Sequence, residues 1–137
     1  WTIIFSYVMI ILKLSFRPRN MIENNIIANC KPGFQKKKFQ KLKKGEIPIT
    51  FQIDLHGKTL IEAENYLDVV LPKCQIDGDL VGIIIHGKGY NSGEGGPKLK
   101  SFVAQYLDYN PHILAYHSTT QRDGGTGAVY ILLKNIN

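Results

Sequence analysis

Between Ile49 and Lys134 the apolar residues switch repeatedly from a period of two to a period of 3.6 and back, and this alternation constrains the fold most. In 51-FQIDLHG-57, Phe51, Ile53 and Leu55 alternate with Gln52, Asp54 and His56, as in a half-buried strand, and Gly57 ends the run. Thr59-x-x-Glu62 is a capping box, after which Leu60, Ala63, Leu67, Val70 and Leu71 line one helical face. Pro72 is expected to end or kink that helix. The β-branched run 80-LVGIIIH-86 predicts a buried central strand. Pro97 suits the first position of a second helix, whose stripe is Leu99, Phe102, Val103, Tyr106 and Leu107 and which Asn110-Pro111 stops. Strands at about 112–118 and 128–134 flank the loop 119-TTQRDGGTG-127.

The order β-α-β-α-β-β predicts a two-layer α/β sandwich: a four-stranded mixed sheet, the last two strands antiparallel, with both helices on one face. Part of the other face and the strand ends are then free for a ligand. At 137 residues the chain has room for one such domain and a tail. The expected division is an apolar segment at 1–20, a basic and partly disordered lead-in at 21–48, and the domain at 49–137.

Segment 1-WTIIFSYVMIILKLSF-16 does not suit a membrane span, because Lys13 cuts it short of about 20 apolar residues. It lacks the basic start and small-residue cleavage site of a secretory signal. A short membrane anchor and a stray hydrophobic helix stay open, and the favoured expectation is upstream sequence translated from a misplaced start, with Met21 or Met9 as the initiator. Cys30 and Cys74 form no C-x-x-C, which argues against a disulfide framework or cysteine zinc site and fits a reducing cytoplasm.

The net charge of +6 is divided unevenly: residues 1–49 carry +8 and residues 50–137 carry −2. The excess sits in 31-KPGFQKKKFQKLKK-44, with seven lysines and no acid. Lys36, Lys37, Lys38, Lys41, Lys43 and Lys44, with Phe34 and Phe39 between them, suit a nucleic-acid arm that neutralises phosphates and offers rings to bases. A solvated, partly disordered arm is the bland alternative for this tract.

Three loops carry candidate chemistry. The stretch 82-GIIIHGKG-89 fits the start of a P-loop, but Gly89 stands where a Walker loop needs Ser or Thr, and Ile83–Ile85 belong in a strand. Ser92 stands where a dinucleotide fingerprint needs its third glycine, so no nucleotide cofactor is expected. What remains is His86-Gly87-Lys88-Gly89 at a strand end: glycines for close approach, Lys88 for a phosphate, His86 for a proton. In 54-DLHG-57, Asp54 and His56 are two apart and share a strand face, so the carboxylate can fix the tautomer of the imidazole. Gly57 ends that strand as Gly87 ends the other. The loop 123-DGGTG-127 offers the amides of Gly124, Gly125 and Gly127 beside Arg122, an anion partner. Each motif alone also fits an ordinary turn. If the strand order joins these ends, all three loops meet in one cleft.

Asp-Leu-His-Gly after a strand, Ile-His-Gly-Lys-Gly about thirty residues later and Gly-Gly-Thr-Gly-Ala-Val-Tyr-Ile-Leu-Leu near the end together resemble the Smr (small MutS-related) domain, over about Ile49–Lys134. With Phe39–Pro48 ahead of them, they resemble the stand-alone Smr proteins of proteobacteria. The resemblance implies a fold like the C-terminal domain of translation initiation factor 3. It also implies nicking endonuclease or endoribonuclease activity, in some members on mRNA at stalled ribosomes. It maps onto Asp54 and His56, onto His86–Gly89, and onto Gly124, Gly125 and Gly127. The loop 90-YNSGEGG-96 is longer than in the shortest members, so the route into the cleft can differ.

The expected activity is phosphodiester hydrolysis, on RNA in preference to DNA, with nucleic acid and the ribosome as expected partners. His56 would be the base, oriented by Asp54, and His86 the acid or a phosphate donor. Lys88, Arg122 and the glycine-loop amides would stabilise the pentavalent phosphate. No two-metal carboxylate cluster is evident, although a single Mg2+ on Asp54 stays open. The rival is a non-catalytic RNA- or ribosome-binding module whose histidines only hydrogen-bond phosphate.

Overall fold

The computed structural model describes residues 26–88 and 98–136. The expectations for residues 1–25, Gly89, the 90–96 loop and Pro97 lie outside them. Along the chain come β1 (Ala28–Cys30), α1 (Lys36–Lys43), β2 (Phe51–Asp54), α2 (Leu60–Asp77), β3 (Val81–Ile85), α3 (Lys98–Tyr109), β4 (Ile113–Ser118) and β5 (Ala128–Leu133), with two short 3-10 turns between β4 and β5. The five strands lie in the order β1-β4-β5-β3-β2. β2 and β3 are parallel, and the other three pairings are antiparallel.

Strand alternation divides β5 between two cores. Val129, Ile131 and Leu133 face α2 and α3, where Leu67, Leu71, Phe102, Val103 and Leu107 are fully buried. Ala128, Tyr130 and Leu132 face the other way, toward Leu42 and the partly buried Phe34, Phe39 and Ile47. The second face is therefore covered by α1, and the architecture has five strands and three layers instead of the expected four and two. The physical reason lies in the lead-in. β1 is too short to display a period, and the apolar face of α1 is only Phe39 and Leu42 among five lysines.

The capping box at Thr59 forms as expected: its Oγ1 accepts from the Glu62 amide (3.2 Å) and Glu62 Oε1 accepts from the Thr59 amide (2.9 Å). Pro72, however, does not end α2, which runs on to Gly78 in the left-handed C-cap conformation. The lost backbone hydrogen bond is offset because Leu67, Leu71 and Gln75, either side of the proline, stay buried on one continuous stripe. Among the described residues no helix is long and apolar enough to cross a membrane.

Gly82 is a working member of β3. It stands opposite Phe51 in the parallel register, and a Cβ there would lie 2.3 Å from the Phe51 ring. Gly82→Ala is expected to cost about 1–3 kcal/mol through overpacking. Urea unfolding checks this, and Gly82→Ala combined with Phe51→Leu should recover much of the loss.

Candidate functional site

The topology decides which loops meet. Parallel β2 and β3 bring the C-terminal ends of both strands to one edge, and antiparallel β5 starts at that edge. The 54–57, 86–88 and 124–127 loops are therefore neighbours. The amides of His86 (3.0 Å) and Gly87 (2.9 Å) both donate to the carbonyl of Gly127. A Cβ on Gly127 would stand 3.1 Å from Lys88 Cγ, and a Cβ on Gly87, at φ +82°, would stand 4.0 Å from the Cβ of His56. Any side chain at 127 would displace Lys88, so glycine there permits the contact.

Asp54 and His56 project from edge strand β2 and the turn after it, with side chains 50% and 72% exposed. Asp54 Oδ1 accepts from both Nδ1 (2.7 Å) and the backbone amide (3.0 Å) of His56. These bonds from His56 hold the Asp54 carboxyl below its ordinary range, so it is ionised at neutral pH. With the proton on Nδ1 directed at the carboxylate, Nε2 of His56 presents a lone pair to solvent. Asp54 Oδ1 is thereby occupied twice. Among the described residues no three His, Cys, Asp or Glu side chains converge.

His86 is a different kind of histidine. It is 4% exposed, its Nδ1 donates to the carbonyl of Gly87 (2.8 Å), and its Nε2 is buried without a hydrogen-bond partner among the described residues. Burial is the main cause that pushes its pKa down to about 4, and Lys100 lowers it further. Acting as acid or phosphate donor requires a proton on Nε2, whereas this ring is neutral with its proton on Nδ1. The sign of the linkage is definite. The unfolded chain takes up the proton near 6.5 and the folded one only near 4, so stability falls as pH drops through that window, by up to about 3 kcal/mol. His112 and His117 are lowered as well and act in the same direction. Denaturant unfolding at pH 7 and pH 4.5 should therefore show a shallower loss for His86→Asn than for wild type.

Lys88 is exposed beside this junction. The Arg122 side chain is 74% exposed, and a Cβ on Gly45 would stand 3.6 Å from its Nη2. Its guanidinium thus sits beside the chain that leaves α1, in company with the lysine helix. The lysines of α1 and its C-cap point outward: Lys36, Lys37, Lys38, Lys41, Lys43 and the capping Lys44 are all exposed, while Leu42 is buried. A groove of about 430 Å³ runs between this helix and residues 46–48, bordered by Lys37, Lys38 and Lys41. It contains none of the three loop motifs.

One residue at the junction escapes every motif. Lys100, in the first turn of α3, is 2% exposed and donates from Nζ to the carbonyl of Thr126 (2.8 Å). A signal was present in the sequence, because Lys100 precedes Val103 and Leu107 by three and seven positions and so falls on the apolar stripe.

Comparisons with known proteins bear on the family and the fold. A model of the Smr domain matches residues 53–134. The ribosome rescue factor SmrB of Escherichia coli O157:H7 is 26% identical over 108 residues, covering 79% of this chain and 56% of SmrB. Its counterpart from Aeromonas hydrophila is 31% identical over 94 residues, covering 69% and 51%. The chain thus spans about half the length of the curated relatives it matches. Among solved structures, the stand-alone small MutS-related protein YdaL from Escherichia coli superposes with a TM-score of 0.72 at 23% identity, covering 94% of this chain and 99% of YdaL. The Smr domain of Thermus thermophilus MutS2 gives 0.54 at 22% identity, covering 62% and 99%. On the strength of a family match that takes in all three loops, the chain belongs to the Smr domain family.

Proposed function

We propose that this chain is an endonuclease that cuts RNA phosphodiesters, with His56 as general base. The observation that carries this reading is the exposed Asp54–His56 pair, its Nε2 lone pair open to solvent, at the junction of three glycine-bearing loops. In the reaction, Nε2 of His56 takes the proton of a ribose 2′-hydroxyl, and the 2′-oxygen attacks the adjacent phosphorus. The bond to the 5′-oxygen breaks, leaving a 2′,3′-cyclic phosphate. The departing 5′-oxygen takes a proton from Lys88, the exposed ammonium beside the junction, and water returns the His56 proton to bulk and re-protonates Lys88. Gly57, Gly87 and Gly89 allow the chain to approach the phosphate. The amides of Gly124, Gly125 and Gly127, expected to serve the phosphate, instead donate to the carbonyls of Gln121 (3.3 Å), Thr120 (2.9 Å) and Gly124 (3.1 Å), so these glycines shape the loop and Lys88 supplies the charge. His86 contributes as a neutral ring anchoring the loop, and Arg122 with the lysines of α1 holds flanking phosphates.

Relatives named as ribosome rescue factors support ribosome-associated RNA as the substrate. The test is cleavage of labelled single-stranded RNA and of supercoiled plasmid, with and without EDTA. RNA cut in EDTA to 2′,3′-cyclic ends is the expected result. A protein that binds RNA but leaves both substrates intact would sink the catalytic reading in favour of a binding module.

A further inference from the structure

Burying an ammonium in a helix–sheet core costs free energy unless its donors are used, and an apolar residue at position 100 would suit the stripe better. The use found for Lys100 is at the site loop. Its Nζ holds the Thr126 carbonyl (2.8 Å), and the next carbonyl, of Gly127, is held by the amides of His86 and Gly87. Two consecutive carbonyls of the glycine loop are thus fixed, one from α3 and one from the end of β3. On its other side the loop meets the stem of Lys88, against Gly127. The sequence motifs supply the loop and Lys88, while α3 supplies the tie between them.

We propose that Lys100 is a positioning residue of the phosphodiester site, clasping the 124–127 loop so that Lys88, packed against Gly127, is held toward a bound phosphate. This rests on the nuclease reading only for the identity of the bound group. Lys100 does not touch substrate. It acts through the Thr126 carbonyl and, electrostatically, through its neighbours. Among the described residues His86 at the end of β3 and Lys88 just beyond both interact with it electrostatically. Burial first, and then the charge of Lys88, lowers the Lys100 ammonium to a pKa of about 8. The clasp therefore weakens in the free protein as pH rises through that value.

The test compares wild type with Lys100→Met and Lys100→Arg, each checked for folding by circular dichroism and thermal melting. Lys100→Met should bind RNA within about threefold of wild type, because the α1 lysines are intact, yet lose at least tenfold in kcat. Lys100→Arg, which keeps charge and donors, should recover most of kcat and hold it to higher pH than wild type. If Lys100→Met cuts within twofold of wild type, or if Arg and Met lose kcat equally, the proposal is overturned. Should Lys100→Met not fold, the alkaline profile of Lys100→Arg decides, and a profile superimposable on wild type rejects the clasp. A wild type inert on RNA would end the nuclease reading. The clasp is then judged by the amide resonances of Gly124–Gly127 on titration with a 2′-deoxy oligonucleotide: a response weakened in Lys100→Met supports it, and one unchanged rejects it.

Discussion

Replacing His56 by alanine is expected to lower cleavage of single-stranded RNA by about 10²–10⁴-fold, the usual contribution of a positioned acid–base group. The protein should stay folded, because the side chain is 72% exposed and buries nothing the core needs. Asp54→Asn should fall between wild type and His56→Ala. The amide oxygen can still accept from Nδ1, but the negative charge that stabilises the imidazolium formed when His56 takes the proton is gone. RNA affinity should change by no more than a few-fold in either variant, since the outward lysines of α1 are untouched. Single-turnover cleavage beside a binding titration separates the two effects. If His56→Ala cuts as fast as wild type, the base lies elsewhere. If both fall together with the melting temperature, the pair is structural.

The same experiment exposes what the motifs conceal about the two histidines. In the sequence, Asp-Leu-His-Gly and Ile-His-Gly-Lys look alike, each a strand ending in His-Gly. The difference arises from the neighbours of each strand. β2 is an edge strand, and the turn after it opens to water, whereas β3 lies between β2 and β5 and its end is capped by the 124–127 loop. His86 is therefore enclosed and kept neutral, and His56 is left exposed. Strand order is non-local information, so a motif two or four residues long cannot contain it. The approach of Arg122 to Gly45 was hidden for a similar reason. Its position depends on the chain after α1, far away in sequence.

Where periodicity was strong, the fold was legible. The alternation at 51–55, the capping box at Thr59 and the stripe from Leu99 to Leu107 all correspond to elements of the structure. What the pattern could not resolve were β1, with three residues, and α1, whose composition argues against a docked helix. Lys36, Lys37 and Lys38 occupy its first turn, at the positive end of the helix dipole, and that turn contains no acid. Packing supplies what local preference does not: Phe39 sets its ring edge-on to His117, 5.8 Å between centroids, and Leu42 is buried against the second face of the sheet. A local conflict of this kind, sustained by tertiary contacts, marks a surface whose charge is wanted for something other than folding.

That distinction makes a second large effect predictable. Changing Lys36, Lys37, Lys38 and Lys41 together to glutamine keeps good helix formers on the exposed side of α1 and leaves Phe39 and Leu42 in place. If each lysine meets one phosphate, the slope of log affinity against log salt should fall by roughly 0.7 per contact, close to 3 in all. Near 0.1 M salt that corresponds to roughly a 100- to 1,000-fold loss of RNA affinity. Leu42→Ala provides the complementary arm, since it retains every lysine but removes the helix's buried anchor, at a cost of about 2–4 kcal/mol. If the lysines act as a row fixed on the sheet, both variants weaken RNA binding, and only the glutamine variant flattens the salt slope at full stability. A disordered basic arm would behave differently: Leu42→Ala would bind as wild type does. Fluorescence anisotropy with a short labelled RNA at four salt concentrations distinguishes these cases, and an unchanged slope in the glutamine variant would remove α1 from the binding surface altogether.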